Sequence, residues 1–284
     1  MADTVVPAPG GETERGDAPA LATNGLLAGK RGLILGVANS YSIAWGIAQS
    51  ARAAGADLAI TYQGENFRRR VEPLAEDLGA AMIAHCDVED TASLDALFGQ
   101  ISDHWGGLDF VVHAIAFSDK EELKGRYVDT TLDNFLRTMR ISCFSFTDLA
   151  RRAAPLMAPG GSLLTLSYIG ADRVMPSYNV MGVAKAALEA SVRYVAADLG
   201  RDGIRANAIS AGPMRTLAGS AIGDARYVYR LSQATSPLRR NVLLSEVGGT
   251  AVYLLSDLSG AVTGETIYVD AGFHAVGMPP NGAV

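Results

Sequence analysis

Only two cysteines, Cys86 and Cys143, occur in 284 residues, and neither has neighbours at metal-ligand spacing. A disulfide framework and a zinc site are excluded as organising features, and no metal is expected. Both thiols are expected to be buried packing residues in a reducing compartment, the cytoplasm. Missing too is any uninterrupted apolar run of about 18 residues, so no membrane-inserted helix is expected. Basic residues are not in excess: the formal net charge is −6, which argues against nucleic acid as a partner. The first 27 residues carry Asp3, Glu12, Glu14 and Asp17 against Arg15 and supply −3 of that charge. With no apolar core behind a basic start, residues 1–27 read as a flexible extension rather than a secretory signal.

What is present is a large apolar fraction, 49%, with 19% charged residues, enough for one sizeable α/β domain over residues 28–284. From Arg31 onward, short apolar runs alternate with segments of helical periodicity: "GLILGV", "SIAWGIAQSARAAG", "DLAITY", a charged stretch from Glu65 to Leu78, "AMIAHCDV", "TASLDALFGQISDHWG" and "DFVVHAIA". A long helix is expected around Leu132 to Ala154, then the strand "SLLTLSY", a helix holding Tyr178 and Lys185, the strand "IRANAIS", a helix near Glu246 to Ser256 and the strand "TIYVDAG". Near-continuous apolar strands separated by helices predict a parallel sheet covered on both faces. Seven strands fit a single Rossmann-like, doubly wound sheet. The segment from Met214 to Arg240 feeds no obvious strand. It reads either as a helical substrate-binding lid over a ligand crevice or as a surface helical pair.

Candidate chemistry gathers at the carboxyl ends of these strands. Gly36 ends the first strand, and Ser42 and Ile43 open the following helix, a longer turn than G-x-G-x-x-G. Small residues here would let backbone N–H groups approach a pyrophosphate at the helix N-terminus. Gln63 follows the second strand, Asp87 and Val88 the third, and Ala114, Ile115 and Ala116 the fourth, so together they outline a dinucleotide path. Gln63 and Glu65 offer no countercharge to a 2′-phosphate, which favours NADH over NADPH. In "SYNVMGVAK", Tyr178 precedes Lys185 by seven residues, and on one helix both would leave the same face, about 10 Å apart along the axis. A cation beside a phenol lowers the phenol's pKa and favours negative charge at that point. Tyr168 ends "TLSY" and is expected at the same crevice. The alternative for the pair is a buried tyrosine packing beside a snorkelling lysine.

These residues, with "GVANSYSIAWGIA", "CDVED", "FVVHAIAFSDK", "LTLSYIG", "NAISAGPMRTLA", "SPLRR" and "YLLSDLSGAVTGE", resemble the short-chain dehydrogenase/reductase superfamily. The resemblance is closer to its divergent branch, the NADH-dependent enoyl-acyl-carrier-protein reductases, and runs from about Leu27 to Met278. Ordinary members of the superfamily space tyrosine and lysine by four with a preceding serine; here the spacing is seven, and Tyr168 occupies the serine's region. The resemblance implies that Tyr178 bonds the thioester carbonyl oxygen, Lys185 the nicotinamide ribose, and Tyr168 lines the site. It further implies NADH held by Gly36, Ser42, Ile43, Gln63, Asp87, Val88, Ile115, Lys185, Gly212 and Thr216, with Ala116, Phe117, Met181, Ala218 and Ile222 around the substrate. Ala116 departs from the family's glycine, and Ala225 from a frequently aromatic lid position.

The implied reaction is reduction of a trans-2-enoyl chain on acyl carrier protein by a homotetramer. Arg226, Arg230, Lys124 and Arg126 are candidates for receiving that acidic carrier. A ketone or 3-ketoacyl reductase and a noncatalytic dinucleotide-binding sensor are the competing readings. The tyrosine spacing weighs against the first, and the presence of both Tyr178 and Lys185 against the second.

Overall fold

The computed structural model describes residues 25–157, 159–216 and 224–278. Strands β1 (Arg31–Leu35), β2 (Asp57–Tyr62), β3 (Met82–His85), β4 (Phe110–His113), β5 (Gly161–Ser167), β6 (Ile204–Ala211) and β7 (Thr266–Val269) form one sheet in the order β3-β2-β1-β4-β5-β6-β7. Every neighbouring pair is parallel. The chain winds outward from β1 to β3, crosses back to β4 and winds the other way, so the topological switch point lies between β1 and β4.

Helices α1 (Ile43–Ala53), α2 (Glu65–Asp77), α3 (Thr91–Trp105), α4 (Leu132–Met139), α5 (Ser145–Ala153), α6 (Val180–Leu199), α7 (Ala225–Thr235) and α8 (Leu244–Leu255) complete the described framework. Alternate strand residues face opposite sides. On one side Ile34, Ile60, Val112 and Leu164 pack with residues of α1, α2 and α8. On the other, Leu33, Leu35, Val111 and Leu163 meet residues of α3, α5 and α6. Two dry layers therefore hold the strands rigid, and their carboxyl ends become fixed mounting points.

Two sequence expectations need correction. The long helix over 132–154 is divided by a π-helical turn, Arg140–Phe144, between α4 and α5. A turn of this width disrupts the regular bonding ladder, and the Ile141 carbonyl accepts from Ser145 Oγ at 2.6 Å. Tyr178, moreover, does not lie on the helix of Lys185. It belongs to the turn before α6, between Ser177 and Asn179, which both have positive φ (54° and 39°). The helical azimuth argument for the pair therefore fails; turn geometry and packing bring Tyr178 to the site. Within the described residues no helix is long and apolar enough to cross a membrane.

Candidate active site

Tyr168 stands immediately beyond β5, and its ring meets that of Tyr178 edge to face, with centroids 5.0 Å apart and planes at 70°. This arrangement sets the positive edge of one ring against the negative face of the other. Tyr178 is buried with Leu123, Val180 and Met181, while Phe135, Tyr168 and Met175 close the cluster. The position depends on Gly170: a Cβ there would fall 2.4 Å from Cδ1 of Tyr178. Asn179 fixes the turn from the other side, its Nδ2 donating to the carbonyls of Glu122 and Leu123, both at 3.2 Å, and of Gly125 at 3.4 Å.

Lys185 is buried in the second turn of α6, and its Nζ donates to the Leu166 carbonyl at 2.7 Å. Burial pushes its pKa down to about 8, against smaller upward contributions from Cys143 and Glu189. Both phenols move the other way. Burial raises Tyr168 to about 12, and burial, followed by Tyr168 and Glu189, raises Tyr178 further. The phenol's pKa is not drawn down as the sequence led us to expect: burial, Tyr168 and Glu189 all raise it, and Lys185 is not among its causes. The consequence at neutral pH is a pair of neutral O–H donors and a cationic nitrogen tied to the end of β5, two residues before Tyr168.

The cofactor candidates fall along the same strand edge. Gly36 has φ +100°, and a Cβ there would lie 2.1 Å from the Ala114 carbonyl oxygen, so the backbones leaving β1 and β4 can approach this closely only with glycine at this point. Ser42 precedes α1 without capping it through its side chain; instead its Oγ accepts from the backbone N–H groups of Ala38 and Asn39, both at 3.0 Å. The serine thus shapes the turn, and Ile43, packed against the first core layer, anchors it. Gln63 Nε2 donates to Asp87 Oδ2 at 3.3 Å, which joins the ends of β2 and β3. Val88 and Ile115 lean on the second core layer. The Gly212 amide donates to the Val269 carbonyl at 2.9 Å, and the Thr216 amide to that of Met214 at 2.9 Å.

Among the substrate candidates, Met181 shares the tyrosine cluster and Ala116 is exposed, next to Phe117 in sequence. Phe117 is 40% exposed with the Arg137 guanidinium 4.5 Å from its ring centre. Ala218 and Ile222 lie outside the described residues. Of the surface cations, Arg226 and Arg230 are exposed on α7. Lys124 pairs with Glu121 at 2.9 Å and Arg126 with Asp129 at 4.0 Å.

Sequence reasoning missed His113, Ser167 and Glu189. The His113 Nε2 faces Ser145 Oγ and its Nδ1 faces Thr165 Oγ1, both at 2.8 Å. Since Ser145 donates to Ile141, the consistent network has Nε2–H donating to Ser145 and Thr165 donating to Nδ1. Burial pushes His113 down to about 3, so it remains neutral. Its signal was a lone polar residue inside "FVVHAIA". Ser167 Oγ donates to Glu189 Oε1 at 2.5 Å, a contact between sequence positions that no local pattern connects.

The family described as Enoyl-(Acyl carrier protein) reductase matches residues 36–274. The chain is 62% identical over 255 residues to enoyl-[acyl-carrier-protein] reductase [NADH] 1 of Rhizobium meliloti, covering 90% of this chain and 94% of that one. It is 64% identical over 256 residues to enzyme 2 of the same organism, covering 90% and 96%. The crystal structure of the Anaplasma phagocytophilum enoyl-(acyl-carrier-protein) reductase in complex with NAD superposes with a TM-score of 0.87 at 60% identity, over 90% of this chain and 97% of that chain. The sheet order, the paired tyrosines before a buried lysine and these likenesses lead to one conclusion: this chain belongs to the enoyl-(acyl carrier protein) reductase family.

Proposed function

We propose that the chain catalyses NADH-dependent reduction of the trans-2 double bond of enoyl thioesters on acyl carrier protein, the last reductive step of the fatty acid elongation cycle. The observation that carries this reading is the Tyr168–Tyr178 pair, two neutral phenols 5.0 Å apart at the end of β5, with the buried Lys185 on the adjoining helix. Relatives carry the NADH designation. The residues fit that cofactor: the Gly36 turn is narrow, Gln63 and Asp87 present polar groups together after β2 and β3, and Arg68 is engaged by Glu72 at 3.1 Å. NADH, when bound, supplies the hydride.

Tyr178 donates a hydrogen bond to the thioester carbonyl oxygen, where negative charge gathers as the β-carbon is reduced. Its raised pKa keeps the proton in place for that bond. A donor aimed at charge present mainly in the transition state contributes about 3 kcal/mol, roughly a hundredfold in rate. Lys185 holds the nicotinamide ribose and adds positive potential, and Tyr168 closes one wall. Gly36, Ser42, Ile43, Gln63, Asp87, Val88, Ile115, Gly212 and Thr216 hold the dinucleotide. Ala116, Phe117 and Met181 line the acyl chain. The enzyme works in the cytoplasm as a homotetramer, with Arg226 and Arg230 receiving the acidic carrier.

The test offers crotonyl and acetoacetyl thioesters in parallel with NADH and with NADPH. Loss of nicotinamide absorbance with crotonyl thioester and NADH is expected. Turnover of acetoacetyl thioester alone would transfer the chain to carbonyl reduction.

A further inference from the structure

Lys185 and Glu189 are one turn apart on α6, and both reach the end of β5: Lys185 Nζ donates to the carbonyl of Leu166 at 2.7 Å, and Glu189 accepts from the hydroxyl of the next residue, Ser167, at 2.5 Å. Tyr168 follows directly. Two successive strand residues are thus tied to two successive turns of the helix, and the tie ends where the phenol pair begins.

The charges around the lysine narrow the role of this arrangement. Three titratable groups act on Lys185: Cys143 from the π-helical turn, His113 from β4, and Glu189 from its own helix. Burial raises the Cys143 thiol, and His113 sits at about 3, so both are neutral near pH 7. Glu189 alone of the three supplies a formal negative charge. Around Glu189 stand Ser167, Arg193, Asp172 and Lys185, with Tyr178 and Tyr268 feeling its charge. Burial shifts its own pKa upward, yet on the alkaline side, where Lys185 loses its proton, a carboxylate is ionised.

We propose that Glu189 is a positioning residue whose carboxylate keeps Lys185 protonated through the working pH range, while its bond to Ser167 registers α6 against the strand end that carries Tyr168. The inference rests on the assignment of Lys185 to the nicotinamide ribose. Residues four apart on a helix are neighbours, and an opposite charge nearby favours the protonated lysine, so removing it must make the lysine deprotonate earlier.

The experiment records kcat/KM for NADH from pH 6 to 10, with saturating crotonyl thioester, and NADH affinity by fluorescence. Glu189→Gln keeps an acceptor for Ser167 and removes the charge. Its alkaline limb is expected about one unit lower than in wild type, a loss of roughly tenfold above the limb, with values near pH 6.5 little changed. A limb coincident with wild type overturns the proposal. Glu189→Asp retains the charge while drawing the carboxylate back from Ser167, and its limb is expected to stay with wild type. A limb displaced in the aspartate variant overturns the role of charge even if the glutamine variant does not fold. Lys185→Ala separates the two levels of inference. Undiminished NADH affinity there refutes the ribose assignment, whereas lost affinity together with a wild-type limb in Glu189→Gln refutes only the present proposal.

Discussion

In the proposed reaction a phenol that stays protonated and an ammonium that stays charged divide the work between them. Replacing Tyr178 with phenylalanine preserves the edge-to-face contact with Tyr168 while deleting the donor, so kcat is expected to fall about a hundredfold with NADH affinity nearly unchanged. Lys185→Ala is expected to weaken NADH binding first; stopped-flow fluorescence titration beside steady-state rates distinguishes the two. His113 makes a different prediction, because its pKa is about 3 in the fold against an ordinary value near 6.5. Between those values the unfolded chain binds a proton that the native chain refuses, so stability rises with pH across the window and is lost as pH falls from 6.5 toward 3. Wild type should therefore show a steep decline in urea midpoint below pH 6.5. In His113→Asn the midpoint at pH 7 should be lower but its acid dependence shallower, so the two curves converge. Parallel curves would contradict the buried neutral imidazole.

At the scale of elements, the turn before α6 sets the reactive geometry. Asn179→Ala removes a side chain that bridges three loop carbonyls and leaves a Cβ-bearing, non-amide residue at positive φ. The expected cost is about 1–3 kcal/mol of stability and a larger fractional loss in kcat than in NADH affinity, measured by thermal melting and initial rates. This turn also marks the limit of what the sequence reveals. The alternation of "GLILGV", "DLAITY" and "FVVHAIA" with helical segments predicts the parallel sheet because each run must be apolar on both faces. The strand ends that carry the cofactor candidates are legible for the same reason, since they follow from strand identities. The tyrosine and lysine are recognisable by spacing, but their placement on a common helix is wrong, because Ser177 and Asn179 adopt backbone conformations that a periodicity argument does not contain. The π-helical turn escapes for a related reason: Arg140–Phe144 contains no proline or glycine to mark a break in the helix. Glu189 and Ser167 escape because their contact is made only once α6 is laid on β5.

For the whole molecule, apolar side chains remain outside the two core layers. Leu132 (69% exposed) and Leu136 (56%) stand one turn apart on α4, Phe144 (59%) follows in the π-helical turn, and Tyr194 (75%) projects from α6. These exposed faces are candidates for the contacts of the proposed homotetramer. Phe144→Asp is expected to shift the sedimentation profile toward smaller species, and an unchanged profile removes this face from the interface. The sheet order carries one more consequence. Gln63 and Asp87 belong to the half wound outward from β1, whereas Tyr178 and Lys185 belong to the half wound from β4; within the sheet the two halves meet at the central β1–β4 pairing, and α1 packs on α8 across the same boundary. Neither half holds a rudimentary version of the site. During biosynthesis the nascent chain therefore emerges with its proposed adenosine-side residues before Tyr178 and Lys185, and the proposed site is complete only once both halves have packed together.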